Sequence, residues 1–339
     1  MVADASREST PAEEPTAEMS AGELARKMGE MSPHHGPELQ RLVRHSNRFV
    51  TLNEAGEIKP DSFLQVMFAQ LSLPYRDPKD APYWECINGL FRMTIQPGIL
   101  TARDGSRRTC YPYGVVPRMF LIWLTTEVLQ TKSQTVNLGK NLDTLVQNLG
   151  FSRGGKQRSK AMEQLRALFA CSITVEKITD YGDKWQSKTV KLDLAESFSL
   201  WFSRSDEEGQ EAMPGSILTL SDTFYQAIMD SSMPLSGSVL RELQSVPMQI
   251  DIYVWLVHRM VRVQRETNVS WAQLEQQFGA NYKRRRDFVR DFKKNLLEVR
   301  CYYPASNVVV TDDGLILRKS PHHVSARRST RQVTHRPAS

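Results

Sequence analysis

The stretch from Asp251 to Arg318 most constrains the fold of this chain. Its first part places Ile252, Trp255, Leu256, Met260 and Val263 at three- and four-residue spacing, which predicts a helix with one apolar face. Asn268, Val269 and Ser270 follow as a short strand. Ser270, with Gln273 three residues later, is a capping-box signal for a new helix. That helix presents Trp271, Leu274 and Phe278 and ends at Gly279. A longer basic helix is then expected over about Asn281 to Glu298. Cys301–Tyr303, Val308–Thr311 and Leu315–Arg318 read as strands, with Asp313-Gly314 a tight hairpin turn.

At about 100° per residue, the basic helix divides into two faces. Tyr282, Phe288, Val289, Phe292, Leu296 and Val299 fall on one arc; Lys283, Arg286, Arg290, Lys293 and Lys294 fall on the opposite one. Asp287, Asp291 and Glu298 share a flank. Arg285 breaks the pattern, lying over the apolar arc near the helix start. One side for a core and the other for phosphates is what a DNA-reading helix needs. The plainer alternative is a solvated Lys/Arg face. Helix, helix, basic helix and β-hairpin in this order predict a winged helix.

Several short runs resemble the plasmid-encoded RepA family. In this unit they are Ser236-Gly237-Ser238, the run from Asp251 to Leu256, Ser270-Trp271, Gln277-Phe278-Gly279, Tyr282-Lys283, Arg286-Asp287-Phe288, Arg290-Asp291-Phe292, Tyr303-Pro304, Gly314-Leu315 and Ser320-Pro321. Earlier ones include Leu73-Pro74-Tyr75-Arg76, Asn88-Gly89, Pro97-Gly98, Tyr113-Gly114, Pro117-Arg118, Thr131-Lys132-Ser133 and Leu149-Gly150. The resemblance covers about residues 60–322 in order. It implies an initiator of plasmid replication that binds repeated origin sequences, helps open the duplex and recruits host initiator and helicase proteins. It also implies repression of the chain's own promoter and a monomer–dimer balance, hence a possible homodimer.

Upstream, the same pattern recurs. Pro117 opens a helix, Arg118 to Gln130, where a proline's missing N–H costs nothing. Thr135–Leu138 reads as a strand, Leu142, Leu145 and Leu149 as a helix, and about Gly155 to Ala170 as a second basic helix. Ala161, Met162, Leu165, Leu168 and Phe169 form its core arc, while Lys156, Ser159 and Lys160 face away. Ser172–Ile178 and Lys188–Leu194 are expected to form its hairpin. Further elements are a helix carrying Phe63, Val66, Met67 and Leu71, a strand at Phe91–Ile95, a short amphipathic segment over Pro37–Arg48, a strand at Ile217–Leu220, and a helix Asp222–Asp230 capped by Ser221. A short helix at Val239–Leu243 completes the set.

The expected class is therefore α+β, helix-rich, with two tandem winged-helix domains between disordered tails. An acidic tail spans residues 1–36, the first domain 37–215, a connecting segment 216–250, the second domain 251–322, and a basic tail 323–339. Net charge is +6, but residues 1–30 hold seven acids against three bases, which leaves about +10 for the remainder. That balance favours a polyanionic partner, double-stranded DNA. Four widely spaced cysteines give neither metal-ligand spacing nor a disulfide framework, which fits a reducing bacterial cytoplasm. No apolar run approaches a membrane span and no signal peptide is expected.

Catalysis finds little support. Gly150 to Gln157 nearly spells a phosphate-binding loop, but Gln157 stands where Ser or Thr must hold Mg²⁺, and a helix precedes it where a strand is required. The segment reads as a turn between helices. His34-His35 and His322-His323 are adjacent pairs, and His45, His258 and His335 are isolated, so the His-apolar-His metal motif of rolling-circle nucleases is missing. No cofactor, metal or catalytic residue is expected. The DNA-binding candidates are Asn281, Lys283, Arg284, Arg285, Arg286, Arg290 and Lys293, with Lys156, Ser159 and Lys160 in the first copy. Asn281, Lys283, Arg284 and Arg286 are expected nearest the bases. A transcriptional repressor with the same domains, and an enzyme acting on nucleic acid, are the other readings.

Overall fold

The structure, a computed structural model, describes residues 36–55, 57–101, 104–139, 142–151, 155–199 and 216–324. The two expected tails, apart from residues 36, 323 and 324, lie outside them, as does the stretch 200–215. The chain is mixed α/β, with ten helices and fourteen strands among the described residues.

A first group of elements precedes the doubled pattern. It comprises α1 (Gly36–Glu54), β1 (Ser62–Gln65), α2 (Met67–Gln70), β2 (Trp84–Asn88), β3 (Phe91–Gln96), β4 (Gly98–Thr101) and β5 (Arg107–Cys110). The expected Pro37–Arg48 segment is part of the nineteen-residue α1. The helix expected around Phe63 and Met67 is instead a strand and a single helical turn. Residues Ser62–Gln65 pair antiparallel with β11, Leu64 opposite Met233, and the Phe63 N–H donates to Thr126 Oγ1 at 2.8 Å. A partner some 170 residues away overrides the local helical spacing.

The first copy contains α3 (Val115–Thr131), β6 (Thr135–Gly139), α4 (Leu142–Asn148), α5 (Gly155–Ala170), β7 (Ser172–Asp180), β8 (Trp185–Leu192), β9 (Ala195–Ser199) and β10 (Ser216–Leu220). Then come α6 (Asp222–Asp230), β11 (Ser232–Leu235) and α7 (Gly237–Leu243). The second copy contains α8 (Pro247–Met260), β12 (Thr267–Ser270), α9 (Trp271–Phe278), α10 (Arg285–Tyr302), β13 (Val308–Val310) and β14 (Gly314–Leu317).

Both copies run helix, strand, helix, helix and then two strands that close a three-stranded antiparallel sheet. The strand orders correspond: β6-β10-β9 in the first copy and β12-β14-β13 in the second, with the last strand central in each. The hairpin assigned to the first copy differs from expectation. Strands β7 and β8 do pair, but β7 also pairs with β3, giving a separate sheet β2-β3-β7-β8. Strand β10, from the connecting segment, supplies the first copy's closing strand instead.

The second copy follows local chemistry closely. The Ser270 side chain accepts from the Gln273 N–H, and Gln273 Oε1 accepts from the Ser270 N–H at 2.9 Å, so two otherwise orphaned donors are satisfied. The Trp271 indole and backbone N–H groups donate to the Asp312 and Asp313 carbonyls, pinning the hairpin turn to the start of α9. A Cβ on Gly314 would lie 2.1 Å from the Val269 carbonyl, so only glycine lets β14 approach β12. Helix α10 begins four residues later than expected and runs through Cys301 and Tyr302, where a strand was expected. Both are fully buried, and Tyr302 packs edge-on to Phe49 of α1. An extended backbone there would remove Tyr302 from that contact.

One continuous core joins the copies, from Leu42 of α1 to Val324. At its centre, Arg118 of α3 and Asp251 of α8 form a two-pronged ion pair at 2.8 and 2.9 Å, both side chains buried. Arg118 also donates to the carbonyls of Leu73, Pro74 and Gly114. The basic tail expected from residue 323 begins later, since His323 and Val324 are themselves buried, His323 stacking on Tyr303.

Candidate nucleic-acid interface

Helix α10 is fixed by its apolar side. Phe288, Phe292, Leu296 and Val299 are buried, and Phe292 meets Phe278 and Trp271 of α9 at ring distances of 5.3 and 6.0 Å. The opposite side shows Arg286, Arg290 and Lys294 at four-residue intervals, all exposed. On a helix that spacing puts the three heads in one row. Lys294, expected on this face from its spacing, completes the row.

Acidic neighbours hold part of this row. Asp287 accepts from Arg290 at 3.3 Å and lies 3.8 Å from Arg286. Asp291 accepts from Arg290 at 3.0 Å and from the Tyr282 hydroxyl at 3.3 Å. The arginine contacts are solvent-exposed, and such pairs contribute little to stability. The Asp291 hydrogen bond holds the Arg290 pKa above its ordinary value.

The remaining candidates are placed unevenly. Lys283 and Arg284 are exposed but precede α10, Arg284 standing at its N-cap. Arg285 opens the helix, and its exposed head pairs with Glu275 of α9 at 2.6 Å. Lys293 is half-buried with its ammonium 5.2 Å from the Trp271 ring centre, a cation–π contact rather than an open phosphate ligand. Asn281, expected among the residues nearest the bases, is engaged within the chain. Its Oδ1 accepts the Tyr75 N–H at 3.1 Å, so it ties a loop of the N-terminal half to the approach of α10. No local signal marks that contact, which spans about two hundred residues.

In the first copy, α5 buries Ala161, Leu165 and Leu168 and exposes Ser159 and Lys160. Lys156 lies on the same helix, but its side chain is outside the described residues. The β4–β5 hairpin covers a flank of α5: Arg166 donates to the Thr101 carbonyl, and Arg108 pairs with Glu163 at 3.1 Å.

Comparison with known proteins bears on this arrangement. The family model described as plasmid encoded RepA protein matches residues 111–274. Over those residues the chain is similar to the plasmid-encoded RepA family. The RepA segment takes in the whole first copy, the buried Arg118–Asp251 pair and the second copy as far as α9. Helix α10 lies beyond it. Among solved structures, domains 2 and 3 of RctB are similar at 14% identity, covering 70% of this chain and 84% of that one, with a TM-score of 0.46. A second structure of RctB domains 2–3 gives 11% identity, 74% and 94% coverage, and a TM-score of 0.45. No curated protein matches the chain.

Among the described residues no group of three or more His, Cys, Asp or Glu side chains could hold a metal. The four cysteines are free and buried, and burial pushes the thiols of Cys86, Cys171 and Cys301 up to about 12. They are inert as nucleophiles near neutral pH. No described helix is long and apolar enough to cross a membrane.

Proposed function

We propose that the chain is a plasmid replication initiator that binds double-stranded DNA at repeated origin sequences through two winged helices. The observation that carries this reading is α10, an apolar-backed helix with an outward row of Arg286, Arg290 and Lys294. It follows a short capped helix and precedes a two-stranded hairpin, the order in which a reading helix enters the major groove. The matching strand order of the first copy and the family of residues 111–274 support the same reading. On this reading the protein acts in the bacterial cytoplasm as a binder rather than an enzyme, meets host initiator and helicase proteins, forms homodimers and represses its own promoter.

The test is a minimal replicon. A plasmid carrying this gene, its neighbouring direct repeats and an AT-rich stretch should replicate in a suitable host, and removal of the repeats should abolish replication. Expressed, folded protein that binds the repeats without supporting replication would make it a repressor. Metal-dependent nicking or nucleotide turnover by the pure protein would make it an enzyme.

A further inference from the structure

The run Leu73-Pro74-Tyr75-Arg76 has no part in the reading above, although the structure invests heavily in holding it. Leu73 is buried, and its carbonyl accepts from the Arg118 guanidinium at 2.6 Å. The Pro74 carbonyl accepts from the same guanidinium and from the Gly114 N–H. The Tyr75 ring lies 5.0 Å from the Arg118 guanidinium carbon, and its N–H is held by Asn281. Just beyond, the Asp77 carboxylate accepts the Lys79 N–H at 2.9 Å, so the loop turns back at once. Three residues of the run are thereby fixed to the centre of the molecule and to the approach of α10.

The fourth, Arg76, is exposed. It makes no ion pair among the described residues, whereas Arg285, Arg286 and Arg290 each meet a carboxylate. Arg76 lines one groove with Tyr282, Asp291, Lys294 and Asn295. The carboxylates of that groove are already engaged: Glu298 by Arg41, Asp291 by Arg290 and Tyr282, and Glu242 by Arg48. Burial and Asp291 push the Tyr282 phenol up to about 12, while Arg76 and Arg290 act against that rise, so both arginines lie within electrostatic reach of one ring.

We propose that Arg76, carried on a loop of the N-terminal half, is a DNA-phosphate ligand that flanks α10 and extends its row of cations. The inference rests on the proposed DNA binding through α10. A rigid backbone matters here because an arginine on a mobile loop loses much of its binding energy to ordering. The contact is sequence-independent, since a phosphate carries no base identity. It also gives the N-terminal half a direct share of the second copy's DNA interface.

The test uses the full chain and a random-sequence duplex, with affinity measured by fluorescence anisotropy over a range of salt concentrations. Arg76→Gln should bind several-fold more weakly and lower the salt slope by about one unit. Arg76→Lys should keep the slope, because the charge is retained. Arg290→Gln reports on α10 itself. A normal slope in Arg76→Gln, with a reduced one in Arg290→Gln, would overturn this inference and leave the proposed function standing. Salt-independent or absent binding by the unaltered chain would remove both.

Discussion

The two copies share an order of elements and a sheet order, yet they are built differently. In the second, the elements from α8 to β14 follow one another with short connections, and the closing hairpin comes directly after α10. In the first, β7 and β8 intervene after α5 and leave to pair with β3, and the sheet is closed from further along the chain. The second copy presents a solvent-exposed row of cations, while the first has a hairpin laid against its corresponding helix. A copy assembled from neighbouring segments keeps one helix face uncovered. A copy that accepts distant strands gives up part of that face and becomes the body on which the other is braced.

The Arg118–Asp251 pair is where this bracing is most exposed to test. Asp251→Ala leaves the guanidinium buried without its counter-charge and should destabilise the chain by about 3–5 kcal/mol. Arg118→Leu should also destabilise, because the carbonyls of Leu73 and Gly114 lose their guanidinium donor. Chemical denaturation of each variant measures it, and a wild-type curve that resolves into two independent transitions, one per copy, would break the idea of a shared core.

Next in size is a pH effect at the end of the second copy. Burial holds His323 down to about 3, against an ordinary value of 6.5. Neither ring nitrogen has a hydrogen-bond partner among the described residues. The folded state therefore refuses a proton that the unfolded chain accepts below pH 6.5. Stability should fall as pH drops from 7 towards 3, by on the order of 2 kcal/mol at pH 5 from this group. His258, held down to about 4 by burial and then by Arg262 and Arg259, adds in the same direction. Thermal melts of the wild type and His323→Phe should converge as pH rises, and parallel curves would remove His323 as the cause.

The smallest effect separates local from distant construction. Ser270→Ala and Ser221→Ala each delete an N-cap acceptor and should cost about 1 kcal/mol. Equal losses in denaturant would show that caps serve both halves alike. A negligible loss at Ser270 would mean that the Trp271 contacts to Asp312 and Asp313 hold α9 without the cap.

The same division explains what could be read from the residues alone. Gly155–Ala170 and Asp222–Asp230 match their expected bounds because spacing and a capping serine lie within the segment. The Ser270 capping box and the hairpin at Gly314 were likewise local. What differs depends on distant partners: Phe63 and Leu64 pair with β11, and Cys301 and Tyr302 stay helical against α1. The Asn281–Tyr75 contact has no local signal either. The row of Arg286, Arg290 and Lys294 was legible as a face. That Lys293 instead lies over Trp271 was not, because it requires knowing where α9 crosses α10.

On the proposed function, α10 reads bases from its N-terminal end and grips phosphates further along. Titration of Arg286→Ala and Arg290→Gln against the neighbouring repeats, single-base variants of them and random duplex at fixed salt tests it directly. Arg286→Ala should lose preference at one base position while Arg290→Gln weakens binding to every sequence alike. Equal loss on all sequences by both variants would make Arg286 one more phosphate anchor and contradict the assignment of α10 as the reading helix.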